Sequence, residues 1–402
     1  MKARAAVCAV AVAVSVLTAC GSSSDSGSAY PIYVAAPLTS APWVGTFIER
    51  GARLAVDEVN KNGIGSSHRK LSLHVLDDAG SPRVAADAAR QAVSAHAAAL
   101  ITDGVGAGAV ADVAGPSHLP VFVVFDGGSS VIDPARRPTL FRIAPADSVM
   151  GRRLADYVSA RHPRPAVISD GTSYGRDGLS ALRAGFADNH IPLVASLVVP
   201  AGGSAAAAQV VQARRAGATL LVIWASSPVV AATVRAARSA HWNVPIFTGP
   251  TGEDPLARQQ LADHRDWVDG LTFVSFRITA EVGPKPFDTF RAAYEKRFGA
   301  DRVGVTQDGR PVIQPPDWAM FSYDAVKLVA VALARSQAVG AAELSALDTT
   351  VIVGANGDER GFVPGVREGV STDDMYLARF HGFRFAPVSD DLLSDSLPAV
   401  PQ

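Results

Sequence analysis

Along this chain a short continuous apolar run, a loop of small or polar residues and a segment with apolar positions at helical spacing follow one another repeatedly. The runs Pro31–Ala36, Leu71–Leu76, Ala98–Thr102 and Pro120–Phe125 are bounded by turn residues and do not alternate. That pattern suits strands covered on both faces, as in a parallel sheet. Between the first two runs, Phe47, Ala52, Leu54, Ala55 and Val59 fall near helical spacing, and Asn62-Gly63 stops the helix. Pro82–Ala99 is an alanine-rich helix. This order predicts a doubly wound α/β lobe. After Thr139–Ala144 the cycle starts again, with a helix at Asp147–Ala160 and strands at Pro165–Ser169, Leu193–Val199, Thr219–Trp224 and Val244–Thr248. A second lobe of the same design is expected. From Gly270 a third segment follows: a strand to Phe276, a helix at Pro286–Phe298, an irregular Pro/Gly-rich stretch at Gly299–Pro316 and a long helix at Asp317–Gln337. A strand at Thr349–Val353, a polar glycine-rich stretch and a late strand at Met375–Phe380 complete it, and the tail after Ala386 reads as loosely ordered.

Ligands of such sheets sit beyond the carboxyl ends of the strands. Two loops there are built from small residues: Gly104 to Gly108, including Gly106, Ala107 and Gly108, and Asp126-Gly127-Gly128-Ser129-Ser130. Free backbone N–H groups with little steric cover suit a small polar or anionic ligand. Two other readings of these residues stand beside that one. Gly104-x-Gly106-x-x-Ala109 with Asp126 further on has the form of a dinucleotide fingerprint, although it follows the third strand and not the first. Alternatively, the glycines merely close tight turns.

The amino terminus points to export. Met1-Lys-Ala-Arg4 is a short basic region, and Ala5–Val16 is an apolar stretch too short for a good membrane span. Leu17-Thr-Ala-Cys20-Gly21 resembles the lipobox of bacterial lipoproteins, which implies cleavage before Cys20 and acylation of its sulfur. Gly21–Ala29 has the composition of a flexible tether. The only cysteines are Cys8 and Cys20, so a mature domain would have no disulfide, thiolate metal site or cysteine nucleophile. Once residues 1–19 are removed, about 380 residues remain, enough for two or three domains. A net charge of −1 without a basic run argues against nucleic-acid binding.

The chain resembles the type I periplasmic solute-binding proteins of the leucine/isoleucine/valine-binding class, the receptors of ABC importers. The resemblance rests on Pro37-Leu-Thr, Gly51-Ala-x-Leu-Ala-Val-Asp-Glu-Val-Asn60, Asp77-Asp78 with Pro82, Tyr174-Gly175 and Gly249-Pro250. It implies two Rossmann-like lobes joined by three crossing strands, near Ile143–Ala146, Phe276–Thr279 and Val351–Gly354. Lobe one would then comprise residues 30–145 and 277–350, and lobe two residues 146–276 and 351–402. It also implies a monomer, lipid-anchored on the extracytoplasmic face of the membrane, that hands a small polar ligand to a permease. No cofactor or metal is expected. In the amino-acid binders the two glycine-loop positions grip the ligand carboxylate. Here the first loop has no hydroxyl, whereas Ser129 and Ser130 remain in the second. Tyr174 matches the tyrosine that reaches the ligand from lobe two. Where the family's fourth strand often ends in tyrosine and glycines, this chain has Trp224, Ser226 and Ser227, and Trp43 could face the cleft from the first loop. A glutamate that pairs with the ligand ammonium is replaced by Thr251. Either another acid serves, with Glu253, Asp103, Asp126 and Asp170 as candidates, or the ligand lacks an ammonium.

Enzyme signatures are missing from the sequence. There is no Gly-x-Ser-x-Gly elbow, no His-Glu-x-x-His and no Gly-Lys-Ser/Thr phosphate loop, and the nine histidines are scattered. A ligand sensor signalling to a membrane receptor would carry the same cleft, and an exported nucleotide-dependent enzyme is the remaining alternative.

Overall fold

The computed structural model describes residues 29–160, 163–276, 285–371 and 374–388. The first lobe runs β1 (Tyr30–Ala36), α1 (Pro42–Asn62), β2 (Leu71–Asp77), α2 (Pro82–Ser94), β3 (Ala99–Thr102), α3 (Ala107–Ala114), β4 (Val121–Val123) and β5 (Leu140–Arg142). Its strands form one parallel sheet in the order β2-β1-β3-β4-β5. The second lobe runs α4 (Asp147–Ser159), β6 (Pro165–Ser169), α5 (Ser173–Asp188), β7 (Ala195–Val198), α6 (Ala206–Arg215), β8 (Leu220–Trp224), α7 (Ser227–Ser239), β9 (Ile246–Thr248), α8 (Pro255–Gln260), α9 (Arg265–Val268) and β10 (Thr272–Phe276). The chain continues through α10 (Lys285–Phe298), β11 (Asp301–Gln307), β12 (Arg310–Gln314), α11 (Ala319–Ser336), α12 (Ala341–Leu347), β13 (Val351–Val353), β14 (Glu359–Gly361), β15 (Met375–His381) and β16 (Arg384–Pro387). The second sheet is β16-β15-β10-β9-β8-β6-β7, parallel except for β15, which runs antiparallel to both β10 and β16.

Apolar runs and buried strands coincide because both faces of each sheet carry helices. β3, β4 and β8 are buried at every position. The alanines of α2 (Ala85, Ala88, Ala89, Ala92) let that helix lie close on the first sheet. Gly51 does the same for α1 and α11: a Cβ there would come within 2.0 Å of the Ala319 carbonyl oxygen.

Several expectations need correction. The stretch 299–316 is not irregular: β11 and β12 form an antiparallel hairpin. It docks on the second lobe, where Arg258 bonds to Gln314 and the Phe383 N–H donates to Gln307 Oε1 at 2.7 Å. The chain passes from β5 of the first sheet into α4 and the second sheet, and leaves β10 at Phe276, with residues 277–279 outside the described ones. The third falls later than Val351–Gly354. Residues up to 369 stay with the first lobe, because Glu368 bridges to Arg142 at the β5 edge and the Gly369 N–H donates to the Arg142 carbonyl at 2.8 Å. Buried arginines hold this segment in place. Arg142 grips Glu368 with Nε and Nη2 at 2.7 and 2.5 Å, and Arg360 reaches Asp374 at 3.1 Å. The tail also contributes β16 to the sheet edge before residue 388. The signal, the tether and Cys20 lie outside the described residues.

Candidate functional site

The loops beyond the carboxyl ends of the parallel strands carry the candidate residues, and the loop after β4 touches the second lobe at Asp147 and Asp177. In the β3–α3 loop the glycines serve mainly to let backbones abut. Gly104 has φ +117°, and a Cβ on it would lie 2.3 Å from Asp126 Cβ. Gly106 has φ +68° and is pressed on Pro82, whose Cα a Cβ would meet at 2.7 Å. Ala107 is buried, and Gly108 faces the Arg137 guanidinium. Gly106 and Gly108 are themselves half-buried.

The loop after β4 does reach the other lobe. Asp126 Oδ1 accepts the Gly128 N–H at 2.8 Å, and Asp177 Oδ2, from α5, accepts the Ser129 N–H at 3.2 Å. Gly127 abuts the passage between lobes: a Cβ there would come within 2.6 Å of Asp147 Oδ1. Ser129 and Ser130 are exposed. The Ser130 carbonyl accepts from Arg137 at 3.1 Å.

From the second lobe, Tyr174 is half-buried, with its hydroxyl 3.4 Å from Thr251 Oγ1 and its ring 5.8 Å from Trp224. Burial first, and Asp147 next, push its phenol pKa up. Trp224 is completely buried, clamped by Gly178 and Gly249, where a Cβ would come within 2.1 and 2.9 Å of the indole. It forms the floor under Tyr174 and does not line the cleft. Ser226 and Ser227 are occupied within their own lobe: the Ser226 N–H donates to Asp170 Oδ2 at 2.7 Å, and the Ser227 hydroxyl to Asp254 Oδ2 at 2.6 Å. Thr251 Oγ1 donates to the Ala225 carbonyl at 2.6 Å.

Of the acids weighed as replacements for the glutamate, Asp170 is taken up by Ser226 and Thr172. Asp103 is 5% exposed and accepts the Val105 N–H at 3.0 Å, and burial pushes its pKa up to about 7. Glu253 is fully buried and accepts the Trp318 Nε1–H at 2.6 Å. Burial, and then the Asp317 carboxylate beside it, push its pKa well above the usual carboxylate range. It ties the second lobe to the start of α11 and does not face the cleft as an anion. An acid that sequence reasoning missed, Asp147, lies between the two lobes' groups: it abuts Gly127 and acts on Tyr174. It is 2% exposed, and burial, followed by Asp126, pushes its pKa up to about 7. Its one sequence signal is its place at the first helical position after the passage Pro145-Ala146.

An aromatic wall adjoins this group. Trp43 is half-buried, with its ring 6.4 Å from Phe125, and Phe125 lies 4.8 Å from Trp318. Trp318 also packs on Phe276, the last described residue before the second passage, at 5.0 Å. In the sequence Trp318 reads only as the start of a helix, so its bridging position depends on how the lobes meet.

Comparison with known proteins agrees with this architecture. The periplasmic binding protein family matches residues 37–381, and the chain belongs to that family. A leucine/isoleucine/valine-binding protein homologue from Brucella melitensis is 34% identical over 160 residues, a match spanning 38% of this chain and 42% of that relative. A type 1 periplasmic binding protein from Bordetella pertussis superposes with a TM-score of 0.78 at 21% identity, covering 90% of this chain and 100% of its own. A branched-chain amino acid transporter substrate-binding protein from Streptococcus pneumoniae, solved with isoleucine, gives 0.74 at 20% identity over 89% of this chain and 97% of its own. An ABC transporter solute-binding protein from Rhodopseudomonas palustris, solved with 3,4-dihydroxybenzoic acid, gives 0.73 at 17% identity over 89% and 96%. The family is one of solute-binding proteins and not of enzymes, so the dinucleotide reading of the glycine loop falls away.

Proposed function

We propose that the chain is the extracytoplasmic receptor of an ABC importer, capturing a small polar solute between its lobes and presenting it to a membrane permease. The supporting observation is the convergence of the Asp126–Ser130 loop, the Asp147 passage and Tyr174 with Asp177 from the opposite lobe. Groups from both lobes that meet over a ligand allow hinged closure to report occupancy. On this reading residues 30–145, with α10, α11 and the segment to residue 369, move as one body, and α4–β10 with β15 and β16 as the other. Acylation at Cys20 anchors the protein, and Gly21–Ala29 holds it off the bilayer.

The test is a thermal-shift screen of the full chain in mild detergent against amino acids, amides, polyamines, aromatic acids, sugars and NAD. A ligand at a thousand times its dissociation constant stabilises the fold by about 4 kcal/mol. A response to one class of solute supports the reading, and a response to NAD alone overturns it. The anchor is tested separately: Cys20→Ala should release the protein from membranes on fractionation.

A further inference from the structure

We propose that the solute this cleft takes is a cation, an amine or guanidinium compound, and not a zwitterionic or anionic one. This rests on the binding-protein reading above and specifies its ligand class. Two backbone donors that the loop after β4 would offer an anion are already occupied by the chain's own carboxylates. The Gly128 N–H is held by Asp126 Oδ1, and the Ser129 N–H by Asp177 Oδ2 from the other lobe. The cationic side chains at this loop are also committed: two nitrogens of Arg142 clasp Glu368 and its Nη1 donates to the carbonyls of Gly128 and Asp126 at 2.9 and 3.3 Å, while Arg137 Nη1 donates to the carbonyls of Ser130 and Val131 at 3.1 Å. An incoming carboxylate would therefore find these two N–H groups and Arg142 already engaged, and would lie beside the carboxyl groups of Asp126, Asp147 and Asp177.

Asp147 supplies the independent observation. It is 2% exposed, yet among the described residues no hydrogen-bond donor reaches its carboxyl group. It sits against Gly127, and the ionisable groups that act on it are Asp126 and Arg142 from the first lobe and Asp177 from α5, while it in turn acts on the Tyr174 phenol. A nearly buried carboxyl without a donor is costly. An ammonium or guanidinium placed between Asp147, Asp126 and Asp177 would supply both donors and counter-charge. The half-buried Tyr174 ring, with Trp43 and Phe125 across the cleft, offers faces on which a cation or its apolar stem can lie.

The experiment is calorimetric titration of the full chain with agmatine, putrescine, leucine, glutamate and benzoate, repeated with Asp177→Asn and Asp147→Asn. Agmatine or putrescine should bind at least about tenfold tighter than leucine, and each substitution should weaken that binding by about tenfold or more. Asp177→Asn, at a half-buried helix position, keeps the test open if Asp147→Asn fails to fold. Leucine or benzoate binding more tightly than either amine would overturn the cation assignment and leave the binding-protein reading standing. So would an unchanged agmatine affinity in Asp177→Asn. No heat with any of the five compounds overturns the cation assignment, and the wider thermal-shift screen decides the broader reading.

Discussion

Glu253→Gln tests the buried carboxyl that ties the two lobes together beside the aromatic wall. The Glu253 side chain accepts the Trp318 indole N–H through Oε1, its Oε2 finds no donor, and Asp317 lies beside it. Burial raises both carboxyl groups, Asp317 to about 6. The folded protein therefore holds a proton here that the unfolded chain has released. Stability contributed by this site is complete below the unfolded carboxylate pKa and is lost as pH rises towards the folded values. One proton sets an upper slope of about 1.4 kcal/mol per pH unit. Glutamine keeps an acceptor for Trp318, presents an amide donor towards Asp317 and cannot ionise. Relative to wild type it should gain about 2 kcal/mol between pH 5 and pH 8, a fraction of the upper slope because the two carboxyls share the strain. The assay is urea unfolding followed by tryptophan fluorescence at several pH values, compared as a difference so that the other acids raised by burial, Asp103, Asp147, Asp324 and Glu343 among them, cancel. A difference that does not change with pH, or that turns against the variant at pH 8, would refute the assignment of this pair.

Three further outcomes follow from the same geometry. Tyr174→Phe keeps the ring over Trp224 and removes only the hydroxyl beside Thr251, so the apo unfolding free energy should move by less than about 1 kcal/mol while solute affinity falls in calorimetry. Affinity for a cationic solute should rise with pH by up to about tenfold per unit until it levels off above about 7, because Asp147 must shed its proton to pair; a flat profile between pH 5 and 7 would count against Asp147. Gly178→Ala would drive a methyl into the Trp224 indole at 2.1 Å and should cost about 3 kcal/mol in urea unfolding, whereas a neutral result would mean that α5 can slide off the β8 end.

Much of this protein was legible along the chain, because covered strands and amphipathic helices write their period into the sequence. Most strands from β1 to β10, and the helices α1 to α7, follow from apolar runs such as Leu100–Ile101 and Leu221–Ile223, and from stops such as Asn62-Gly63. The family block at Gly51–Asn60 has a physical counterpart in the contact of Gly51 with Ala319. Local pattern did not mark the β11–β12 hairpin, whose strands alternate around prolines and glycines and gain their partner, α8, only in the folded protein. Nor could it say which candidate residues face the cleft. Trp224 ends an apolar strand and Tyr174 follows a loop, yet only the close approach of Gly178 and Gly249 decides that the first is fully buried beneath the second. Glu253 and Asp147 are both acids near strand or helix ends. The fold buries one against Trp318 and leaves the other facing Asp126 and Asp177 without a donor. Secondary structure is a property of local periodicity, and so it can be read from the chain alone. A residue's place in a cleft depends on the desolvation and charge that distant segments impose when the two lobes meet, and only the tertiary structure decides that.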